Sequence, residues 1–441
     1  MKASVIHEYG EPEVMQVEDR ANPMPGRGEV LVRLFATSVN PFDLYRRSGA
    51  VKEQAPIAFP GVVGVDIAGI VQALGEGVEE FAVGDEVFAM GDQTYAELCV
   101  VSASSLVRIP QGMDRIEAAA IPLVTTTGNM LAQAVGAKSG QTVLVTGAAG
   151  NVGRSAVYAF KAQGVFVIAG VLASQIEHAA DLGADQFVAT DSPEAIAALP
   201  VLDSVADTVA GSTAEKLIAK VRPGGTFGTV LYPPSNAKSF PQVTCVEVQA
   251  VPNAGILKIM SDAVVAGELT IPLGQRFPLS EAAAAHTAVA AGTARGKVIL
   301  VVDPDSAATA EATAKIKTLL GSYNAALNQS DTDRVISLYT QDGIFMAPFS
   351  QSAIGPQAIR KAYDNVFSTR TFDVAFHLVE LVVLSPGYAY ARTNSAGHTT
   401  SVAKGEQSSE GNQELFVFRT DPTGVWKIAR YSFSPTGHSA I

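Results

Sequence analysis

The stretch 141–157, QTVLVTGAAGNVGRSAV, limits what this chain can fold into more than any other. A short apolar run, Val143-Leu144-Val145, reads as a buried strand and passes through Thr146 into a glycine-rich turn. A helix opens directly afterwards at Asn151-Val152-Gly153. Gly147 and Gly150 permit a tight turn and bring backbone amides close to a diphosphate, while Gly153 lets the helix lie against the strand. The helix N-terminus adds unpaired N–H groups and a partial positive charge. Strand, turn and helix in this order form a dinucleotide site, around which most of the chain is expected to arrange itself.

With 441 residues the chain exceeds what one ordinary core accommodates, so two or three domains are expected. Apolar residues make up 47% and charged residues 17%, which places it among soluble globular proteins. The net charge of −12 argues against binding nucleic acid through phosphates. No apolar run approaches the ~20 residues that cross a bilayer. The opening MKASVIHEYGEPEV carries acids early and has no long apolar core, so no signal peptide is expected. Cys99 and Cys245 are too few for a disulfide framework or a metal knuckle and suit a reducing cytoplasm.

Along the chain, residues 1–122 read as β-rich, with short apolar runs (30–35, 69–74, 86–90, 96–101) between Gly, Pro and Asp turns. Residues 123–268 alternate strand and helix: a helix over 152–163, a strand over 165–169, a helix ending near 182–184 and a strand over 186–189. That pattern predicts a doubly wound parallel sheet. Residues 269–303 return to a strand, an Ala-rich helix (280–291) and a last strand (297–302). The segment Asp303-Pro-Asp-Ser-Ala-Ala-Thr-Ala reads as a linker, placed at 304–308, and nearly half of the aromatic residues follow it. Beyond it, residues 309–441 predict helices (308–328, 331–339, 356–366), a strand over 343–349, and four long strands (374–384, 387–398, 412–419, 426–435). Turn chemistry is placed at 408–411 and 421–424.

The first 303 residues resemble the medium-chain dehydrogenase/reductases, in the zinc-independent quinone oxidoreductase branch. The resemblance is carried by MKASVIHEYGEPEVMQVE, GEVLVRLFATSVNPFDLYRRSG, FPGVVGVDIAGIVQALGEGVEEFAVGDEVFA, the glycine turn, DSVADTVAG, RPGGTFGTV and RGKVILVVD, in that order. It implies a Rossmann α/β domain (123–268) and a β-rich GroES-like catalytic domain (1–122 with 269–303). Zinc members of the superfamily hold their metal through an early Cys and a Gly-His-Glu signature. Here Asn40 stands for the Cys and Gly64-Val65-Asp66 for the signature, and the four-cysteine block of a structural zinc is missing. No metal is therefore expected. Without a Lewis acid, hydride transfer to an electron-poor acceptor remains feasible. The resemblance implies NADPH-dependent reduction of a quinone, an enone or an enoyl compound.

For site residues the resemblance puts Asn40 near the nicotinamide and substrate carbonyl, although Asn40-Pro41 also makes an ordinary turn. Tyr45 is a donor in the substrate pocket or a packing residue. Asp43 and Asp66 read as stabilisers of turns and strands. Thr127 matches a cofactor contact, or caps a helix. After the second strand, Ala169-Gly-Val-Leu-Ala-Ser174-Gln175 carries no acid to repel a 2′-phosphate and no Arg or Lys to bind one, so NADP is favoured over NAD and Ser174 is placed at the phosphate. Gly147, Gly150, Asn151, Val152 and Gly153 surround the diphosphate. Asp207 and Val209, then Leu231 and Tyr232, follow strands at the sheet's carboxyl ends. Lys297 or Arg295 supplies a cation near the cofactor, or a solvated charge.

Residues 309–441 resemble the nuclear transport factor 2-like superfamily, which includes SnoaL-like cyclases and ketosteroid isomerases, through SYNAALNQSDTDRVISLYTQDGIFMAP, GPQAIRKAYDNVF, NQELFVFR and WKIARYSFSP. This implies an α+β cone. Tyr323 fits the helical tyrosine of the isomerases, Ala347 replaces their base, and the second acid falls near Gln413. Isomerase chemistry is thus not expected. The tail then either holds an apolar ligand in an aromatic cone, with Trp426 among its walls, or pairs two copies into a homodimer. Three readings stay open: a reductase with an auxiliary cone, a bifunctional enzyme with a cyclase- or dehydratase-like second site, and a non-catalytic NADPH-binding protein.

Overall fold

The computed structural model describes residues 1–292, 294, 296–302, 304–385 and 387–436. It divides into two compact units, Met1–Pro304 and Asp305–Ile441.

The middle of the first unit is a six-stranded parallel sheet. Its spatial order is Gln186–Ala189, Phe166–Val171, Thr142–Val145, Leu202–Asp207, Val221–Thr229, Thr244–Glu247. This is the doubly wound order, with the chain reversing direction between Thr142–Val145 and Leu202–Asp207. Alternation along one strand explains why both faces are covered. Val143 and Val145 enter one core with Phe160 and Val167, whereas Leu144 enters another with Val205 and Phe227. Between the second and third strands the expected helix is replaced by two short 3₁₀ turns, Ala173–His178 and Ala180–Leu182.

Around this lies the β-rich part. A sheet orders Leu273–Pro278, Lys297–Val301, Glu29–Val39, Asp66–Leu74, Glu86–Met90 and Val107–Arg108, with Leu98–Ser102 also on Glu29–Val39. The late strand Lys297–Val301 pairs antiparallel with Glu29–Val39, so the ends of the unit close on one core. Helix Pro122–Val135 leads from this part into the parallel sheet and packs on helix Asn151–Lys161.

In the second unit a sheet runs Ala353–Ile354, Tyr339–Met346, Trp426–Pro435, Gln407–Thr420, Tyr388–Ser401, Arg370–Ser385, beside helices Pro304–Asn328, Thr332–Ser337 and Gly355–Thr369. Residues 304–308, where the linker is placed, span the division between the two units and are helical, opening helix Pro304–Asn328. Pro suits a first helical position, and the alanines that follow are strong helix formers. The turn expected at 408–411 lies inside strand Gln407–Thr420, and the chain reverses instead at 402–406, where Gly405 N–H donates to the Ser401 carbonyl at 2.8 Å. At 421–424 the reversal is present, with the Asp421 carboxylate accepting from the N–H groups of Thr423 and Val425.

Candidate active site

The glycine turn is built as its sequence demands. Gly147 adopts φ 57°, and the Gly150 N–H closes back onto its carbonyl at 2.8 Å. Ala148 N–H donates to the Gly170 carbonyl of the neighbouring strand at 3.0 Å. A Cβ on Gly153 would stand 2.2 Å from the Gly147 carbonyl oxygen, so only glycine fits there. Helix Asn151–Lys161 starts from an extended Gly150 with no side-chain cap, and its first intrahelical bond runs from Arg154 N–H to the Gly150 carbonyl. The amides of Asn151, Val152 and Gly153 precede that bond and are the helix's open donors. Gly128, on the crossing helix, would place a Cβ 2.5 Å from that of Ser155, which explains a glycine in the middle of Pro122–Val135.

Beside the turn, Asp207 ends its strand fully buried. Its carboxylate accepts from Thr146 Oγ1 at 2.7 Å, from Ala210 N–H at 3.0 Å and from Thr229 Oγ1 at 3.3 Å. Asp207 thus braces three strand ends with its side chain and leaves backbone to face a ligand. Val209 and Tyr232 are 49% and 60% exposed just beyond these ends, and Leu231, preceding Tyr232, is half-buried. Thr127 does not cap a helix. It lies in the second turn of Pro122–Val135, and its hydroxyl donates to the Leu123 carbonyl at 2.6 Å.

Ser174 is exposed on the turn after Phe166–Val171. There the Ala173 N–H donates at 2.9 Å to the carboxylate of Asp191, which follows the adjacent strand. An acid therefore does stand at the end of the second strand, contributed by its neighbour. Arg295 lies outside the described residues.

Where a catalytic zinc would need its ligands, the structure has a buried polar cluster. Asn40 is 1% exposed, Asp66 and Asp43 are fully buried, and Lys297 is 3% exposed. Lys297 Nζ donates to Asn40 Oδ1 and lies 3.4 Å from Asp66 Oδ2. The Asn40 amide group donates to Asp66 Oδ2 at 2.8 Å, and Ser38 Oγ donates to the same oxygen. Asp66 Oδ1 accepts the Leu123 N–H at 2.7 Å. Two expectations are thereby corrected. Asn40 is not an open donor facing a substrate, because its amide oxygen and nitrogen are both engaged inside the fold. Lys297 is not a solvated charge, because its ammonium is held inside the fold by Asn40 and Asp66. Burial pulls its pKa down, against the charges of Asp66 and Asp43.

A second layer adjoins it. Asp43 Oδ2 accepts from Asn40 N–H at 2.8 Å and from Tyr95 OH at 3.2 Å, and Tyr95 OH meets His286 Nε2 at 3.0 Å. Asp43 Oδ1 and His286 Nδ1 are buried with no partner. Burial raises Asp43 to about 7, Asp66 adding to the rise while Asn40 N–H, Lys297 and Tyr95 oppose it. Burial, then Arg47, holds His286 down to about 3. Helix Pro41–Ser48, which starts from this cluster, leaves Phe42 and Tyr45 39% and 43% exposed, so Tyr45 is not a core-packing residue.

A divalent metal does not fit here. Val65 offers no donor atom, and the polar atoms of Asn40 and Asp66 already surround an ammonium. Among the described residues no three His, Cys, Asp or Glu side chains converge as a metal set. No described helix is long and apolar enough to cross a membrane.

The second unit encloses a pocket of ≈ 80 Å³. Tyr323, Phe345, Tyr363, Phe376 and Tyr431 wall it, and Glu414 also lines it. Tyr323 OH and Tyr363 OH are 2.5 Å apart, and Tyr339 OH is 3.3 Å from Tyr363 OH. Glu414 accepts from Tyr431 OH at 3.1 Å and from Thr393 Oγ1; burial raises its pKa, opposed by hydrogen bonds from Thr393, Ser395 and Tyr431. Gln413 is corrected: it points out of the sheet, and Glu414 and Asn412 point in. Phe416 and Phe418 are fully buried, so the period of two puts the even-numbered neighbours on the inner face. Trp426 is in the core but is not one of the residues that wall the pocket.

Comparison with known proteins agrees with this architecture. The alcohol dehydrogenase GroES-like domain matches residues 26–111, the zinc-binding dehydrogenase domain residues 182–300, and the SnoaL-like domain residues 316–437. A quinone oxidoreductase of Pseudomonas aeruginosa is 34% identical over 319 residues, which is 66% of this chain and 97% of that protein. The quinone oxidoreductase of Coxiella burnetii superposes with TM-score 0.63 at 25% identity, covering 69% of this chain and 99% of that one. A mycobacterial protein complexed with NADPH superposes with TM-score 0.60 at 27% identity, covering 68% of this chain and 100% of that one. The chain belongs to the quinone oxidoreductases of the medium-chain dehydrogenase/reductase family, as an oxidoreductase that carries an additional SnoaL-like domain.

Proposed function

We propose that the chain reduces a quinone or an activated alkene, an enone or enoyl compound, with NADPH as donor and without a metal. The observation that carries this reading is the glycine turn 147–153, with uncapped amides beside the ends of Thr142–Val145 and Leu202–Asp207. When bound there, NADPH supplies a hydride. The chain's own residues bind and orient: amides 151–153 at the diphosphate, backbone at 207–209 and 231–232 along the strand ends, and Phe42 and Tyr45 on a helix whose start is locked by buried charges. Family likeness to quinone oxidoreductases and to an NADPH-complexed neighbour supports the donor and acceptor class. Incubation with NADPH and a panel of quinones and enones tests it. Oxidation of NADPH with at least one acceptor is expected, and cofactor binding without turnover on any acceptor would favour the non-catalytic alternative.

For the second domain, the pocket favours ligand binding or a second reaction. Three phenols and a buried carboxyl in an aromatic wall suit a flat molecule bearing oxygen. The competing use is pairing of two copies through the outer sheet face, where Leu415 is exposed. Removal of 309–441 followed by product analysis and sedimentation separates them: loss of a later rearrangement supports a second reaction, and conversion of a dimer to a monomer supports pairing.

A further inference from the structure

We propose that Lys297 is a positioning residue for hydride transfer: a fixed internal ammonium that joins the substrate half to the cofactor half where zinc relatives place a metal. The inference rests on the reductase reading above. Its ground is the set of elements that meet at one buried cation. Lys297 comes from strand Lys297–Val301 near the end of the unit. Asn40 precedes helix Pro41–Ser48, which bears Phe42 and Tyr45. Ser38 belongs to strand Glu29–Val39 and Asp66 opens strand Asp66–Leu74. Through Leu123 N–H, Asp66 also holds the first turn of Pro122–Val135, the helix that carries Thr127 and packs on the glycine-turn helix.

The hydrogen-bond chemistry makes this arrangement directional. An ammonium has donors and no acceptor, so Asn40 must turn its oxygen toward Lys297. Its amide N–H groups then have to face carboxylates, which is where Asp66 Oδ2 lies at 2.8 Å and Asp43 Oδ2 at 3.4 Å. A neutral side chain at 297 would let the amide flip and would leave the buried Asp66 without a balancing charge. Helix Pro41–Ser48, which bears Phe42 and Tyr45, would then lose the side-chain bonds that anchor its start to strands Lys297–Val301 and Asp66–Leu74. Misplacement of reacting groups by about 1 Å costs on the order of a hundred-fold in rate.

The test uses the full chain and two variants: Lys297→Met alone, and Lys297→Met with Asp66→Asn, which removes the pair without leaving an unbalanced charge. Acceptor kcat/KM is measured beside the Kd for NADPH by calorimetry and the thermal midpoint. The expected result is a fall in acceptor kcat/KM on the order of ten- to a hundred-fold in a folded double variant, with Kd for NADPH near that of the wild type and partial recovery in Lys297→Arg. Wild-type kcat/KM in the double variant overturns the proposal. So does a loss confined to NADPH affinity, which would make Lys297 a cofactor contact. If neither neutral variant folds, Lys297 is an element of stability alone and the proposal is overturned as well. Failure of the wild type to turn over any acceptor sinks the reductase reading itself, and is thus distinguished from failure of this inference.

Discussion

Replacing Asp43 by asparagine should uncover a pH dependence of stability that the wild type conceals. In the fold Asp43 holds its proton to about 7, against an ordinary value of 3.8. The folded state therefore binds a proton more tightly than the unfolded state from about pH 4 to 7, and stability falls as pH rises through that window, by about 1.4 kcal/mol per pH unit at most. His286 has the opposite sign. It stays neutral in the fold down to about 3, against 6.5, so its contribution is present above 6.5 and is lost as pH falls toward 3. Between about pH 4 and 6.5 the two slopes oppose each other and nearly cancel. In Asp43→Asn the new amide oxygen can still accept from Asn40 N–H and Tyr95 OH, and Lys297, Asp66 and Arg47 stay in place. The variant should lose about 3 kcal/mol relative to the wild type between pH 6.5 and 4, and be the more stable of the two above pH 7. Urea unfolding across this range is the assay. Trp426, the single tryptophan, reports on the second unit, and circular dichroism then gives the first unit's transition. Parallel stability–pH curves for wild type and Asp43→Asn would refute the reasoning.

Three further outcomes are expected. Gly153→Ala forces a Cβ to 2.2 Å from the Gly147 carbonyl, so it should cost about 1–3 kcal/mol and abolish heat of NADPH binding in calorimetry; wild-type affinity would count against the tight-turn argument. Asp191→Arg exchanges the carboxylate at Ala173 N–H for a guanidinium and should shift the ratio of kcat/KM for NADPH over NADH upward, on the order of ten-fold; an unchanged ratio removes Asp191 from the 2′-phosphate region. Glu414, raised by burial, makes the second unit more stable when protonated, so its stability should fall as pH rises out of the carboxyl range. Glu414→Gln should flatten that fall in Trp426 fluorescence while keeping the Tyr431 contact, and an unaltered slope would place the titration elsewhere.

The parallel sheet and the glycine turn were legible because each rests on local rules: apolar runs for strands, and glycine where a Cβ has no room. The long strands of the tail were legible for the same reason. Their ends were not, since Ser-Ser-Glu-Gly has turn composition yet pairs across its full length with Tyr388–Ser401, where tertiary pairing overrides local preference. The buried cluster was misread because its partners are far apart in sequence. Nothing near Lys297 signals that it meets Asn40 and Asp66, 257 and 231 residues away. Asp191 likewise reaches the end of a strand that is not its own. Glu414 was available from the sequence, because Phe416 and Phe418 fix which alternate positions face inward.

The most direct measurement follows NADPH absorbance with a quinone acceptor in chelator-treated, dialysed protein, beside the same protein given zinc. Hydride delivery from a dinucleotide on the glycine turn, steadied by an internal ammonium, predicts equal rates in both samples. Turnover that vanishes with the chelator and returns with zinc would contradict it.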